Sequence, residues 1–500
     1  MPARRCCLAL PKRRHSRFNL PGRTRRSRSR QVAQKYAGAA FAAVLLAGLA
    51  ISPARSETLT DALVSAYNNS DLLEQSRAVL RAADEDVASA VAVLRPTLNY
   101  SASRTWTHLG GDNVLPSADR DSVTNTLGLT SELVIYEGGR NKLAIEAAKE
   151  AVLAAREALL VQEQVVLFAA VQAYMEVIRA TETVDLRRNN VRVLDEEVRA
   201  ARDRFDVGEV TRTDVAQAES RLAQSQAELV SAQGDLETSR ETYNLEVGRY
   251  PGQLAPPPAL PRTAANEAEA REIALRAHPS ILRAQRLVTV DEINVVRAEA
   301  AVLPSLSADA SVGYTDGSSA FRGNDLEPTA SVGLTLSGPI YRGGGLNSAY
   351  RRAKAQRDNS RASLLRTTSQ IDEQVGRAWA VRDVARARLV ATDRQIEAAQ
   401  IAFDGTREEA TLGARTTLDV LDAEQELLDA RGAKIDASAL EQLAVYGLLS
   451  SMGRLTVDGL GLPVTAYDPV VYYNAVRSAP GLGSEQGIQL DRVLKSIGKY

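Results

Sequence analysis

An internal duplication governs how this 500-residue chain can fold. Four landmarks recur at a constant offset of 205 residues: YEGGR at 136–140 with YRGGG at 341–345, VGEVTRTDV at 207–215 with LGARTTLDV at 412–420, Tyr174 with Trp379, and Gly248 with Gly453. One offset shared by separate landmarks is the signature of a repeated structural unit. The sequence therefore predicts two copies of one fold, aligned without a gap over 136–248 and 341–453.

Both copies contain the same order of predicted elements: a helix, two strands, a very long helix, a short break with glycine, and a last helix. In the first copy, 57–249, these elements are predicted at 59–94, 95–107, 122–136, 140–206 and 211–248. In the second copy, 263–460, they are predicted at 265–302, 304–316, 327–340, 343–411 and 416–453. Prolines favour an extended linker at 250–262. The segment 461–500 is a C-terminal tail that either wraps the outside of the molecule or has no fixed structure.

The two long helices set the dimensions of the molecule. Each has about 67 residues, which corresponds to about 100 Å at a rise of about 1.5 Å per residue. The two flanking helices of each copy together match this length, so we expect them to lie end to end along the long helix. Heptad spacing indicates coiled-coil contact at two seams. One seam contains Val215, Leu222, Leu229, Leu236 and Tyr243, and the other contains Ala144, Ala151, Ala158 and Val165.

The predicted strands alternate apolar and polar residues over about 10–13 positions, the length of a tilted outer-membrane strand. The apolar sets include Leu98, Tyr100, Ala102 and Trp106; Val123, Leu127, Leu129, Leu133 and Ile135; Leu306, Ala308, Ala310, Val312 and Tyr314; and Ala330, Val332, Leu334, Leu336 and Ile340. Alternation alone equally fits two hairpins of a soluble domain. Four strands cannot close a barrel, and open edges are not tolerated in lipid. If the strands span a membrane, two chains would supply eight and three would supply twelve.

Residues 1–56 differ in composition from the rest and are typical of a signal peptide. They contain 13 Lys and Arg residues and no Asp or Glu, and an apolar stretch at 37–51 precedes a small-residue cleavage site before Glu57. The other 48 basic residues stand against 62 acidic ones, a net charge of −14, which argues against nucleic acid as a partner. Cys6 and Cys7 precede the apolar stretch, so the mature chain is expected to have no thiol chemistry. It also has no apolar run that predicts a transmembrane helix.

The glycine-rich segment IYRGGGLNS at 340–348 resembles a phosphate loop, because it follows a strand and precedes a helix. No lysine follows at the required spacing, no βαβ pattern is present, and a twin segment lies at the same place in the other copy. We interpret the paired glycines as strand-to-helix junctions, where glycine allows unusual backbone angles; they are Gly138, Gly139, Gly343 and Gly344. His108 and His278 lie far apart, so no metal site is expected. We also expect no catalytic residue and no cofactor.

The chain resembles the TolC family of outer-membrane efflux and secretion ducts over nearly all of 57–460. The resemblance rests on the duplication, the paired glycines, and three motifs: NNSDL at 68–72, AHPSI at 277–281 and, above all, LGARTTLDVLDAEQ at 412–425. It implies an α+β membrane protein, a homotrimer whose twelve-stranded β-barrel in the outer membrane continues into a long α-helical barrel in the periplasm.

The resemblance also implies a function and partners. The chain would be a passive conduit, not an enzyme, for drug efflux or type I protein secretion. A periplasmic adaptor protein and an inner-membrane pump or ABC exporter would recruit it, and outer-membrane lipid would surround the barrel. The alternative is a secreted helical scaffold without pore activity. The exported cargo depends on the inner-membrane partner, which this chain does not encode.

The two helix–turn–helix tips, Val207–Thr211 and Leu412–Thr416, carry the candidate site. Local sequence rules predict their capping residues: Gly208 and Gly413 at the helix ends, and the pairs Thr211 with Asp214 and Thr416 with Asp419 at the helix starts. The resemblance implies that the tips contact the adaptor. The contact residues would be Val207, Gly208, Thr211, Leu412, Gly413 and Thr416.

Two further roles are implied by the resemblance. Asp422 lies three residues after Asp419 on the same helix face, and the matching family aspartates line the periplasmic entrance as a ring that favours cations. Helix capping by Asp419 and a solvated helix face for Asp422 are the alternatives. Arg415 matches a family arginine that latches the closed entrance to the neighbouring first-copy tip, where Asp214 matches its partner. Ala410 stands where the family has the tyrosine of this latch.

Overall fold

The computed structural model describes residues 56–108, 121–317, 327–481 and 483–496. Except for Ser56, the predicted signal peptide 1–56 lies outside these ranges. The first copy contains α1 Leu59–Asn69, α2 Asp71–Ala92, β1 Thr97–His108, β2 Asp121–Glu137, α3 Arg140–Asp206 and α4 Arg212–Val247. The second contains α5 Glu267–Ala277, α6 Pro279–Glu299, a 3₁₀ turn Ala300–Val302, β3 Ser305–Gly317, β4 Glu327–Ser337, α7 Gly345–Thr411 and α8 Thr417–Ser451. Three short helices follow: α9 Val457–Leu460, α10 Pro469–Val476 and α11 Glu485–Ser496.

The leading helix of each copy is broken in two, whereas the sequence pattern predicts one continuous helix over 59–94 and over 265–302. Ser70 has an extended backbone, and its hydroxyl accepts the Leu73 N–H, so α1 ends and α2 begins there. His278 occupies the equivalent place, and its Nδ1 accepts the Ser280 N–H at 3.1 Å. The residue before Pro279 is also disfavoured in the helical conformation. In both copies, therefore, a polar side chain caps the second segment and separates it from the first.

The helices pack side by side in one layer. α3 contacts α2 and α4, and it also contacts α6 and α8. α7 in turn runs along α6 and α8. The two ends of the layer are therefore α2 with α4 on one side and α7 on the other. This arrangement agrees with the expectation that two shorter helices lie along each long one.

The largest core cluster lies near the middle of α3, where α1 and α4 meet it. Its buried side chains include Leu59, Leu167 and Tyr243. The Tyr174 hydroxyl donates to the carbonyl oxygen of Ala255 at 2.7 Å, which ties the extended linker to this core. Within the described residues, α3 alone has the length and apolar composition to cross a membrane, and half of its most apolar window is buried inside the chain. Packing against its neighbours is a sufficient reason for that composition.

Of the two predicted seams, the structure supports one. Leu236 and Tyr243 are buried, as the first seam predicts. The second seam is wrong, because Val165 is 51% exposed and the buried apolar side chains nearest the predicted alanines are Ala147, Val152 and Ala154. A 3.6-residue helix drifts relative to a strict heptad, so a stripe of alanines does not define the packed face by itself.

The four strands form one antiparallel sheet in the order β1-β2-β3-β4. One row across it pairs Tyr100 with Leu129, Leu129 with Val312, and Val312 with Ala330. Directly opposed residues lie on the same face of a sheet, so the predicted alternation produces one apolar face that crosses both copies. This face is exposed in the single chain. The outer edges of β1 and β4 have no strand partner among the described residues.

Two details of the sheet differ from the sequence pattern. The register shifts between Val134 and Tyr136, so Ile135 is the extra residue of a β-bulge and Tyr136 is the residue that pairs with Leu306. β4 ends at Ser337, so Ile340 lies beyond the strand that was predicted to contain it. Gly338 and Pro339 follow Ser337, and a proline cannot donate to a strand ladder.

The described part of the C-terminal tail has fixed structure, and α10 packs against α2. The Tyr467 N–H donates to the Tyr67 hydroxyl at 3.0 Å, and the Tyr472 hydroxyl donates to Glu85 Oε1 at 2.8 Å. The Arg77 guanidinium lies 5.1 Å from the ring centre of Tyr67 and 5.3 Å from that of Tyr467. The tail is therefore fastened by hydrogen bonds and cation–π contacts.

Candidate functional site

The first tip reverses the chain between α3 and α4. Val207 ends α3, and Gly208 takes a φ of +83°. The N–H groups of Gly208 and Glu209 donate to the carbonyl oxygens of Phe205 and Arg204, both at 2.9 Å. This is a Schellman motif, which satisfies the last carbonyls of the helix. The predicted role of Gly208 in ending the helix is confirmed, although the C-cap residue itself is Val207 and Gly208 is the left-handed residue that follows it.

The second tip repeats this geometry between α7 and α8. Leu412 ends α7, and Gly413 has a φ of +77°. The N–H groups of Gly413 and Ala414 donate to the carbonyl oxygens of Ala410 and Glu409 at 3.1 and 2.9 Å. Because both tips use the same backbone bonds, the duplication extends to the atomic details of the site.

Both capping boxes form as predicted. The Thr211 hydroxyl accepts the Asp214 N–H at 3.3 Å, and Asp214 Oδ2 accepts the Thr211 N–H at 2.8 Å. Thr416 and Asp419 exchange the same bonds at 3.2 and 2.9 Å. Hydrogen bonds from the Thr416 backbone and then from its side chain, with the nearby positive charge of Arg415, lower the pKa of Asp419. Both aspartates therefore cap helices, whatever further role they have.

The two predicted ring aspartates differ in their bonding. Asp422 is not a cap; its Oδ1 accepts a hydrogen bond from Arg221 of α4 at 2.9 Å. This ion pair joins the α7/α8 hairpin to the α3/α4 hairpin of the same chain. The alternative that Asp422 lies on an ordinary solvated helix face is therefore incomplete, since its carboxylate has a specific partner.

The structure does not bring the two predicted latch residues together within one chain. Arg415 Nε donates to Glu409 Oε2 at 2.9 Å, and this bond with the Glu409 charge raises the pKa of Arg415. Asp214 bonds to Thr211 in the other tip. Ala410, which stands in place of the family tyrosine, is buried against α8 and offers no hydroxyl for a latch.

Each tip presents one apolar side chain to solvent. Val207 is 71% exposed and Leu412 is 79% exposed. They occupy equivalent positions, directly before the glycine of each turn. Apolar side chains held in the open by a rigid turn are suited to contact with another protein.

The junction glycines adopt the backbone angles that the sequence interpretation requires. All four have positive φ, +59° and +80° at Gly138 and Gly139, and +57° and +81° at Gly343 and Gly344. A Cβ on Gly138 would lie 2.7 Å from the Cβ of Leu303, so close packing also restricts that position to glycine.

Among the described residues, no group of three or more His, Cys, Asp or Glu is placed to hold a metal ion.

Sequence reasoning missed three polar residues that lie between the two hairpins. Glu424 Oε1 accepts a hydrogen bond from Asn190 Nδ2 at 3.0 Å, and the Asn190 amide oxygen accepts one from Ser225. All three residues are buried. The available signal was a glutamate among the buried leucines of α8, but its partners are remote in sequence.

Comparison with known proteins supports the resemblance inferred from the motifs. The family model described as "Outer membrane efflux protein" matches residues 62–245 and 270–454, one segment in each copy. The outer membrane efflux protein BepC of Brucella suis is 38% identical over 442 residues, which cover 87% of this chain and 94% of BepC. The outer membrane protein TolC of Escherichia coli is 23% identical over 469 residues, covering 89% and 92%.

A solved structure shows the same fold. The CmeC outer membrane channel of Campylobacter jejuni superimposes with a TM-score of 0.68 at 18% identity, over 85% of this chain and 90% of that one. This chain belongs to the TolC family of outer membrane efflux proteins and is an outer-membrane exit duct.

Proposed function

We propose that three copies of this chain form one duct, with a twelve-stranded barrel in the outer membrane and a helical barrel across the periplasm. It acts as a passive conduit, not an enzyme, and a periplasmic adaptor and an inner-membrane transporter recruit it. In this proposal residues 57–249 and 263–460 are the two repeats, 250–262 is the linker, 461–500 is the tail and 1–56 is a signal peptide.

The observation that carries this proposal is that, over the residues that the structure describes, the sheet and the helical layer both end in unpaired edges. The sheet ends at β1 and β4, and the helical layer ends at α2 with α4 on one side and at α7 on the other. Strand directions alternate, so β4 of one copy can pair antiparallel with β1 of the next. Contacts between unlike edges close into rings, and a closed barrel leaves no backbone edge in lipid.

The helical edges carry exposed apolar side chains suited to the same contacts. On α7, Leu365, Val390 and Ile401 share the face that points away from α6 and α8. On α4, Val230 and Leu245 point away from α3. Burial of apolar surface drives association, so we assign these faces to the contact between neighbouring copies.

The tips are the proposed docking points for the adaptor. They combine a rigid double-capped turn with an exposed valine or leucine, and the contact set is Val207, Gly208, Thr211, Leu412, Gly413 and Thr416. The paired glycines Gly138, Gly139, Gly343 and Gly344 are the proposed bends between the two barrels.

The entrance would contain two carboxylates, Asp419 and Asp422, from each copy. A ring of carboxylates favours cations over anions. Arg415 and Asp214 are the proposed latch between neighbouring copies. For Arg415 to reach Asp214, it would exchange its present partner Glu409, which gives the latch a competing bond in its own chain.

The proposal is tested by purifying the mature chain from outer membranes and recording its mass and its currents in planar bilayers. We expect a trimer that conducts. A monomer, or a trimer without currents, would favour the pore-free scaffold instead.

Because both cysteines precede residue 57, single-cysteine variants are direct probes of docking. Leu412→Cys should crosslink to the adaptor, whereas Ser231→Cys in the middle of α4 should not, and the reverse pattern would contradict docking at the tips.

A further inference from the structure

A buried carboxyl group lies between the two hairpins, about two turns into α8. Glu424 is 6% exposed, and its Oε1 accepts the hydrogen bond from Asn190 of α3. Its other oxygen, Oε2, is buried without a hydrogen-bond partner. Ser225 of α4 completes the chain of bonds by donating to Asn190. One polar connection therefore runs from α4 through α3 to α8.

The charges around Glu424 do not neutralise it. Glu197 of α3 faces it with a like charge, and Arg407 of α7, which lies 3.5 Å from Glu197, offsets this only in part. Arg431 of α8 donates instead to the Gln400 amide oxygen of α7 at 2.7 Å. The charged groups of α4 nearest in sequence to Ser225 are also engaged: Arg221 pairs with Asp422, and Glu228 pairs with Arg187 of α3. No cation is left to bond Oε2 directly among the described residues.

A cavity of about 90 Å³ lies beside this group. Its polar wall consists of Asn189, Asn190, Gln400, Glu424 and Arg431. Burial, and then the charge of Glu197, raise the pKa of Glu424 to about 7. A carboxyl group in water ionises with a pKa of about 4.3. Separation of the hairpins would admit water to Glu424 and so favour the ionised form.

We propose that Glu424 is a proton-operated switch in the wall of the duct. When it is protonated, the two hairpins stay together; when it is ionised, the wall loosens and the bore widens. The proposal rests on the duct function proposed above, because the hairpins act on a bore only if they line one. The sign follows from linkage: the packed state keeps its proton to higher pH, so that state is favoured on the acid side.

The first test is the pH dependence of currents in planar bilayers, from about pH 5 to pH 9, a range around the pKa of about 7. For the wild type, the ratio of wide to narrow states should rise at least about tenfold with pH. Glu424→Gln keeps the acceptor for Asn190 and cannot ionise, so it should stay narrow at every pH. Glu426→Gln changes an exposed glutamate of the same helix and should behave as wild type.

The second test follows the carboxyl group itself. The infrared carbonyl band of protonated buried carboxyl groups should contain a component that disappears with a midpoint near pH 7. This component should be absent from Glu424→Gln, whereas the component from Asp84, whose pKa is about 6, should remain. Glu426→Gln should keep both this component and its midpoint, because Glu426 is an exposed glutamate of the same helix. Currents absent from the wild type at every pH would contradict the duct itself. Currents that are equally pH-dependent in Glu424→Gln would overturn the switch alone.

Discussion

Single residues at the tips already have partners within their own chain. Asp214 and Asp419 cap helices, Arg415 binds Glu409, and Asp422 binds Arg221. A substitution at these positions therefore changes a local bond as well as any contact between copies. Variants that keep the local bond and remove only the charge are needed to separate the two effects.

For the latch, we expect Arg415→Ala and Asp214→Asn to raise conductance in planar bilayers. Asparagine at 214 can still accept the Thr211 N–H, so the cap is retained while the charge that would hold Arg415 is lost. Glu409→Gln is the matched control, since it removes the charge of the competing partner and should leave the channel as closed as wild type or more so. Unchanged conductance in both latch variants would contradict the assignment.

A second residue prediction concerns Asp84 of α2, which is fully buried and has no hydrogen-bond partner for either carboxylate oxygen. Burial is the main cause that raises its pKa to about 6, and Arg156 opposes this only in part. The protonated form is therefore favoured in the folded state. Stability should fall as pH rises from about 4 to about 6 and then level off.

Asp84→Asn removes the buried charge, so at pH values above 6 it should raise the temperature of unfolding. The expected gain in the free energy of unfolding is about 2–3 kcal/mol, from the size of the pKa shift. At about pH 4 the variant and the wild type should unfold together. Thermal unfolding at both pH values measures the difference. Asp86→Asn, at a neighbouring exposed position of α2, should give no such gain. An equal effect of Asp84→Asn at both pH values would contradict a role for its ionisation.

Among the elements, the C-terminal tail was the least predictable from the sequence, and its packing against α2 allows a direct test of its contribution to stability. Truncation after Pro463 removes the buried side chains of Tyr472 and Val476, which pack against α2. Each is worth about 1.5–3 kcal/mol of burial, so the unfolding midpoint should fall clearly. Truncation after Gly481 keeps both residues and should cost little. If the two truncations unfold alike, the tail has no structural role.

The elements that could be predicted were those specified by local rules. The long helix at 140–206 and both capping boxes depend on residues three or four apart, which the sequence displays directly. The breaks at Ser70 and His278 were missed because a single polar residue within an amphipathic pattern does not distinguish a cap from a solvated position. The bonds of Asp422 to Arg221 and of Glu424 to Asn190 were also missed, since their partners are remote in sequence and periodicity carries no information about them.

At the scale of the whole molecule, the sheet and the helical layer of the described residues both end in edges without a partner, which supports the proposed trimer. We expect Ile401→Asp to prevent formation of a heat-resistant trimer, since it places a charge in an apolar face that is 67% exposed in the monomer. Val381→Asp changes an exposed valine on another face of α7 and should leave the trimer intact. Gel mobility before and after heating distinguishes the two. A stable trimer with Ile401→Asp would exclude this face from the interface.

The unlike edges of the sheet have a genetic consequence. In the proposed trimer, a subunit that carries a faulty β4 edge would still accept a neighbour on its β1 side, so it would join a ring and prevent its closure. In a ring of three, equal expression of mutant and wild-type copies would leave only about one ring in eight wholly wild type. Alleles that damage a single edge should therefore be dominant in a cell that also makes the normal protein, whereas alleles that prevent folding altogether should be recessive.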